Sequence, residues 1–278
     1  MAPARTTPCP VTFVGGAGDR NGRGMLGAAV VGEELGRRLD REATVIGKPE
    51  PAIHRNWDAA LAAARPGLLE LQDEHRRILD RGDVPVAALP RCAAALATLP
   101  VIATLRPDAM VVWFDAHGDL NTPENTTTGY LGGLVLGAAM GWWDSGLGSG
   151  LTPDRVVLGG SRDLDAEEQT LVDEGIIKLA VGASLLDALD DYVGAHPVYF
   201  HLDCDVLQPG TVPTEYVVPG GISLDDLAAV SARLSHNEIV GIEVAEFEAP
   251  ADPADHGRYV EPLVDALTPM LAAVHRKA

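Results

Sequence analysis

Basic residues are scarce in this chain. Lysine and arginine number 21 against 40 aspartates and glutamates, a formal charge of −19. A strongly acidic chain without basic clusters is a poor nucleic-acid binder. Its field draws in cations, a cationic substrate among them. Cysteine is also sparse. Cys9, Cys92 and Cys204 are odd in number and irregular in spacing, which argues against a disulfide framework and for a reducing compartment. No apolar run approaches the roughly 20 residues of a membrane span. The opening MAPARTTPCP has no apolar core of a secretory signal. A soluble, cytoplasmic protein is expected. The glycine-rich loop AGDRNGRG lacks the Gly-Lys-Ser/Thr ending of a phosphate-binding P-loop. There is no repeat of 20–50 residues and no composition shift to mark a linker.

What is present is alternation. Short apolar strands are predicted at Val11–Gly16, Ala43–Gly47, Val84–Leu89, Val111–Phe114, Arg155–Gly159, Ile176–Ala180, Val198–Leu202 and Ile239–Ala245. Helical patterns separate them: Gly27–Asp40, two helices in Asn56–Arg81 split at Pro66, Pro90–Thr104, Leu131–Trp143, Ala166–Glu174, Ser184–Val193, Ser223–Leu234 and Tyr259–His275. Eight strands alternating with helices predict one α/β domain over residues 1–278, with residues 1–9 loose. The sheet is mostly parallel, with about eight strands covered by helices on both faces in three α/β/α layers. A closed (β/α)₈ barrel is the competing architecture.

Two strands end in chemistry. VVWFDAHGD (Val111–Asp119) runs from apolar residues into Asp115, His117 and Asp119. At alternate positions of extended chain the three side chains point one way. VYFHLDCD (Val198–Asp205) repeats the pattern with Asp203 and Asp205. Open α/β sheets place ligands at the C-terminal ends of their strands. Burying four carboxylates together is prohibitive unless cations neutralise them. Four carboxylates and an imidazole suit two divalent cations, Mn²⁺ first.

These residues resemble the arginase/agmatinase/formiminoglutamase family, the ureohydrolases. Asp115-Ala116-His117-Gly118-Asp119 is similar to its D-A-H-x-D signature, and HLDCDVLQPG to its S-x-D-x-D-x-x-D-P signature. NTPENTTTG resembles the arginase branch's N-T-P-x-x-T-x-S-G loop. GSRDLDAEE, GIEVAEF and VGGAGDRNGRG match further segments, so the likeness runs almost end to end. It implies two Mn²⁺ ions per chain, with Asp115 and Asp203 bridging, Asp119 on the first ion, and His117 and Asp205 on the second. A water acidified by both ions attacks the guanidinium or amidine carbon, and Asp119 accepts its proton. Glu246 orients the guanidinium. Asn121, Thr128 and Tyr130 fall where the arginase branch reads the amino acid's carboxylate, and Asp165 where it binds the α-amine. A trimer or hexamer is implied in the same way.

The departures are specific. Leu89-Pro90-Arg91-Cys92 stands where the family has G-G-D-H, so Cys92 replaces a histidine ligand of the first ion. A thiolate there tilts that site toward Zn²⁺ or Fe²⁺; a neutral thiol leaves it short of a ligand. Gly132 falls where the arginase branch carries a proton-shuttling histidine, and Tyr130 is larger than the usual asparagine. Gln208 replaces an aspartate of the second signature. His201 takes a serine position two residues before Asp203, where it either contacts a ligand or is a satisfied core histidine. The remaining histidines, His54, His75, His196, His236, His256 and His275, lie outside any motif and are expected mostly at the surface. The resulting expectation is a binuclear-metal hydrolase of a guanidino or amidino C–N bond, arginase-like, taking arginine to ornithine and urea. Agmatinase or another guanidino-acid hydrolase, and a catalytically degraded binding protein on the same fold, are the alternatives.

Overall fold

A computed structural model of the chain describes residues 6–52 and 55–274. Sixteen main elements alternate: β1 (Pro8–Phe13), α1 (Arg23–Leu39), β2 (Thr44–Ile46), α2 (Trp57–Asp80), β3 (Val84–Ala88), α3 (Ala95–Leu105), β4 (Met110–Phe114), α4 (Val135–Ala139), β5 (Val156–Gly159), α5 (Ala166–Asp173), β6 (Lys178–Ala180), α6 (Leu185–Val193), β7 (Val198–Asp203), α7 (Leu224–Leu234), β8 (Ile239–Ala245) and α8 (His256–Ala273). The strands form one eight-stranded sheet in the order β2-β1-β3-β8-β7-β4-β5-β6. Every pairing is parallel. The sheet is open, with β2 and β6 at its edges, so the barrel alternative falls.

The inner strands are apolar on both faces because helices cover both. Along β4, Val111 and Trp113 face one core with α2, α3 and α4, while Met110, Val112 and Phe114 face the other with α1, α6, α7 and α8. That is the period of two expected of a pleated strand.

Several predicted boundaries move. Pro8 and Cys9 are strand residues, paired with Val84 and Pro85 of β3, so the chain is ordered from β1 rather than loose to residue 9; residues 1–5 lie outside the described residues. Pro66 does not divide α2, which is continuous from Trp57 to Asp80. Pro66 and Ala62 are exposed, so the carbonyl that loses its bond meets water. The buried stripe of Ala60, Leu61, Ala64, Leu68 and Leu71 continues across the proline. The helix predicted from Pro90 starts late: Arg91 is extended (φ −145°, ψ 154°), and a 3₁₀ turn at Cys92–Ala94 leads into α3. The helix predicted over Leu131–Trp143 shrinks to a 3₁₀ turn at Gly132–Leu134 and the five residues of α4.

This order positions the site. The four central strands, β3, β8, β7 and β4, end side by side, and the connection from β3 to β4 passes over the other two. Cys92, Glu246, Asp203 and Asp115 each follow or end one of these strands. They therefore meet in the crevice beyond the strand C-termini, as the fold's geometry requires.

Candidate metal centre

The two acidic motifs converge through turns, not through an extended comb. β4 stops at Phe114, and Asp115 Oδ1 then accepts the backbone N–H of His117 at 2.7 Å. β7 stops at Asp203, whose Oδ1 accepts the N–H of Asp205, also at 2.7 Å. Both motifs thus fold as the same Asx turn, which brings alternate side chains round to one point. Asp205 Oδ1 hooks the turns together by accepting the N–H of Ala116 at 3.0 Å. Asp119 has left-handed backbone (φ 53°), as does Glu246 (φ 62°). Such positions cost roughly 1–3 kcal/mol each and concentrate at functional sites.

Two groups of donor atoms result. Cys92, Asp115 and Asp203 offer ligand atoms within 4.8 Å of one another, and so do Asp115, His117 and Asp205. Asp115 belongs to both groups. Cys92 Sγ lies 3.0 Å from Asp203 Oδ2 and 3.9 Å from Asp115 Oδ2. His117 Nδ1 lies 3.2 Å from Asp115 Oδ1 and 3.1 Å from Asp205 Oδ2. Ligand bonds of about 2.0–2.3 Å place neighbouring donors at comparable separations. Asp119 is in neither group, but it is buried and its Oδ2 has no hydrogen-bond partner, while Asp205 Oδ2 has only its contact with His117.

The electrostatics point the same way. Burial, then Asp115 nearby, holds Asp119 well above the usual carboxylate range. Burial and the neighbouring aspartates do the same to Asp203 and, less strongly, to Asp205. Burial and Asp203 raise the Cys92 thiol. Burial opposes the charged form of His117, but its bonds to Asp115 and Asp205 push it up to about 12. Burial also works against ionised Asp115, yet His117 holds it at about 2. A cluster that retains protons on acids, and gathers one on its histidine, is short of positive charge. Four aspartates balance two divalent cations, and the donor set of carboxylate, imidazole and thiol fits Mn²⁺, Zn²⁺ or Fe²⁺.

A cavity of about 250 Å³ opens above these residues. It collects Cys92, His117, Asp119, Asp203, Asp205 and Glu246 with Asn121, Thr128, Tyr130 and Asp165; Asp115 is fully buried beneath. Asn121 Nδ2 donates to Asp165 Oδ2 at 2.7 Å, and its Oδ1 is buried without a partner. Thr128 Oγ1 accepts the N–H of Tyr130 at 3.1 Å. Asp165 caps α5 in a box with Glu168, whose carboxyl burial raises to about 7. Tyr130, Tyr216 and His117 form an aromatic wall with successive centroids 5.6 Å apart, and Arg20 stacks on Tyr130 at 4.8 Å.

A model of the arginase family matches residues 54–268. The N(omega)-hydroxy-L-arginine amidinohydrolase of Streptomyces lavendulae is 38% identical over 260 residues, which span 93% of this chain and 95% of that protein. The chain belongs to the arginase family. Solved arginases share the fold. That of Bacillus subtilis superposes with a TM-score of 0.81 at 24% identity, covering 94% of this chain and 98% of its own. That of Entamoeba histolytica, in complex with L-ornithine, gives 0.81 at 22% over the same shares. This arginase-family chain is a hydrolase of C–N bonds in linear amidines, from a family that depends on two metal ions.

Within the arginase-family site, His201 is both packed and in contact. It stacks on Trp113 at 3.5 Å. Its Nε2 lies 3.2 Å from Cys92 Sγ, and its Nδ1 lies 2.9 Å from Glu243 Oε2. Glu243 also accepts from the Tyr199 hydroxyl. Gln208 is exposed, and its backbone anchors the following loop to Ile222 at 2.9 Å. A Cβ on Gly132 would meet the Tyr130 ring at 2.5 Å. The two departures in that loop are therefore one: Tyr130 occupies the space a side chain at 132 would need. His196 and His236 are exposed and His256 half-buried, but His75 is fully buried against the sheet, contrary to expectation; His54 and His275 lie outside the described residues.

Sequence reasoning assigned no role to Arg91, Tyr216, Glu243 or Glu168. Arg91 carried a signal: it is the lone charge between Asp83 and Arg106. Glu243, a charge in the middle of an apolar strand, carried the same one.

Proposed function

We propose that this enzyme hydrolyses a guanidino amino acid hydroxylated on a terminal nitrogen, N(omega)-hydroxy-L-arginine, to ornithine and hydroxyurea, with arginine as the poorer substrate. The observation that carries the reading is the convergence of Cys92, Asp115, His117, Asp203 and Asp205 beneath a cavity walled by Glu246. Similarity to the Streptomyces amidinohydrolase supports the choice of substrate. The whole chain is read as one such unit, acting on a small polar substrate and not on nucleic acid.

Cys92, Asp115, Asp119 and Asp203 would hold one ion in this reading, and Asp115, His117, Asp203 and Asp205 the other. Mn²⁺ is the first choice of metal, with Zn²⁺ or Fe²⁺ at the Cys92 site. Two divalent cations supply a nucleophile from water at neutral pH and polarise the amidine. Asp119, which lines the cavity and whose buried Oδ2 has no partner, would take the proton that the attacking water loses. Glu246, which also lines the cavity, orients the amidine carbon. Asn121, Thr128 and Asp165, with Tyr130 beside them, read the amino-acid end at the rim. With glycine at 132, no side chain there assists departure of the amine. Such help is commonly worth roughly 10²–10⁴-fold, and its loss bears on the departure of ornithine from either substrate. Among the described residues no helix is long and apolar enough to cross a membrane. A trimer or hexamer in the cytoplasm completes the proposal.

The test is product release from arginine, N(omega)-hydroxy-L-arginine and agmatine by Mn²⁺-loaded protein, with metal content measured in parallel. Hydroxyurea release exceeding urea release, abolished in Asp119→Asn, is expected. Two bound ions per chain with no product from any of the three would instead favour the binding-protein alternative.

A further inference from the structure

Glu246 is already engaged by the protein's own guanidinium. Arg91 is fully buried, and each of its three side-chain nitrogens meets a carboxylate. Nη1 lies 2.7 Å from Glu246 Oε2, Nε 3.1 Å from Asp19 Oδ1, and Nη2 3.0 Å from Glu248 Oε1 and 2.9 Å from Glu215 Oε2. These partners come from the loop after β1, the loop after β7 and the segment after β8. Glu246 Oε1 accepts the backbone N–H of Cys92 at 3.0 Å, and the Tyr130 hydroxyl stands 3.5 Å away. Space for Arg91 is reserved by Gly24, where a Cβ would lie 2.8 Å from Pro90 O and 2.9 Å from Arg91 Nε.

A carboxylate recognises an unsubstituted guanidinium best by two parallel N–H···O bonds, one to each oxygen. Here Arg91 holds one oxygen and the Cys92 amide the other. With the Tyr130 hydroxyl also on Oε1, one of the carboxylate's roughly four lone-pair sites is left, on Oε2, enough for a single side-on bond. We infer that Arg91 is a specificity-determining positioning residue, which fixes Glu246 and removes from it the fork that a plain guanidinium requires. The inference rests on the guanidino-hydrolase reading above and extends it. An unsubstituted terminal nitrogen brings two N–H groups and leaves one poorly paired, which costs affinity. A protonated N-hydroxylated nitrogen facing Glu246 brings one N–H, with its O–H directed away from the carboxylate, matching what Glu246 can accept. Hydroxylation also lowers the basicity of the amidine, so the positive charge it brings beside that of Arg91 is more easily shed.

Two variants separate this from a structural role. Arg91→Lys keeps the charge and loses the planar fork. Arg91→Met with Asp19→Asn and Glu248→Gln removes the guanidinium together with two of the carboxylates it balances. Dissociation constants for arginine and N(omega)-hydroxy-L-arginine are measured by calorimetry on Mn²⁺-loaded protein, with kcat and KM for each. Arginine is expected to gain on N(omega)-hydroxy-L-arginine by about tenfold or more in Kd and KM, with the kcat ratio little changed. A ratio of Kd values unchanged within about twofold, in a variant that retains its melting temperature and metal content, overturns the inference. Loss of fold in both variants overturns it as well, because Arg91 is then structural. Binding is read without turnover, so unaltered protein that binds both amino acids and hydrolyses neither sinks the proposed activity while leaving Arg91 under test.

Discussion

Asp119, Asp203 and Asp205 each hold a proton more tightly than an ordinary carboxylate, because burial and the neighbouring aspartates penalise the second and third negative charge. The Cys92 thiol is raised for the same reasons. Cations binding there must displace those protons. The sign follows: these groups are raised in the metal-free protein, so metal affinity increases with pH across the range in which they would otherwise be protonated. Calorimetry in two buffers of different ionisation heat should show proton release on Mn²⁺ binding and weaker binding at lower pH. In Cys92→His the imidazole binds without a thiol proton to shed, so release should fall by about one proton and the weaker ion should bind more tightly. Proton release unchanged by the substitution would place Cys92 outside the metal's ligands.

At the scale of elements, the pairing of β7 with β8 sets His201 opposite Glu243. A buried chain results, from Cys92 Sγ through His201 to Glu243 and the Tyr199 hydroxyl. Burial alone would raise Glu243, but the bond from His201 more than offsets it and holds the carboxyl below its ordinary 4.5. A depressed carboxyl contributes stability that is present above its unfolded value and lost as pH falls through the folded one. Removing one partner of such a buried pair costs about 3–5 kcal/mol. Glu243→Gln should therefore lower the melting temperature at pH 7, and the gap from unaltered protein should narrow as pH drops below about 4.5. A gap independent of pH would mean that Glu243 is not charged in the fold. The strands themselves were legible in the sequence, because β3, β4, β7 and β8 are buried on both faces and read as unbroken apolar runs. The ends of elements were less so. Nothing in the period of VVWFDAHGD announces that Asp115 turns the chain back on itself, and Pro66 marks a helix break only where its lost bond would be buried. The partners of Arg91 were illegible for another reason: Asp19 and Glu246 lie 72 and 155 residues away and meet it only through the strand order.

At the scale of the whole molecule, the formal charge of −19 sets a long-range field. A field of that sign raises the encounter rate of cations and is screened by salt. It distinguishes the two amino acids before either reaches Glu246. Arginine carries a permanent guanidinium and is a net cation at neutral pH. N(omega)-hydroxy-L-arginine is largely a zwitterion without that extra charge above the ionisation range of its hydroxyguanidine. The cavity lies among Asp119, Asp163, Asp165, Glu168, Asp205 and Glu246, so the local potential has the same sign as the global one until the metals are bound. Raising ionic strength from about 0.02 to 0.5 M shortens the screening length several-fold. With metal sites saturated, kcat/KM for arginine should fall across that range, while kcat/KM for N(omega)-hydroxy-L-arginine at pH 8.5–9 stays nearly flat. The ratio of the two then rises with salt. Equal salt slopes for the two substrates would mean that the hydroxylated amidine binds as a cation after all, and that the fork at Glu246, not charge, is what separates them.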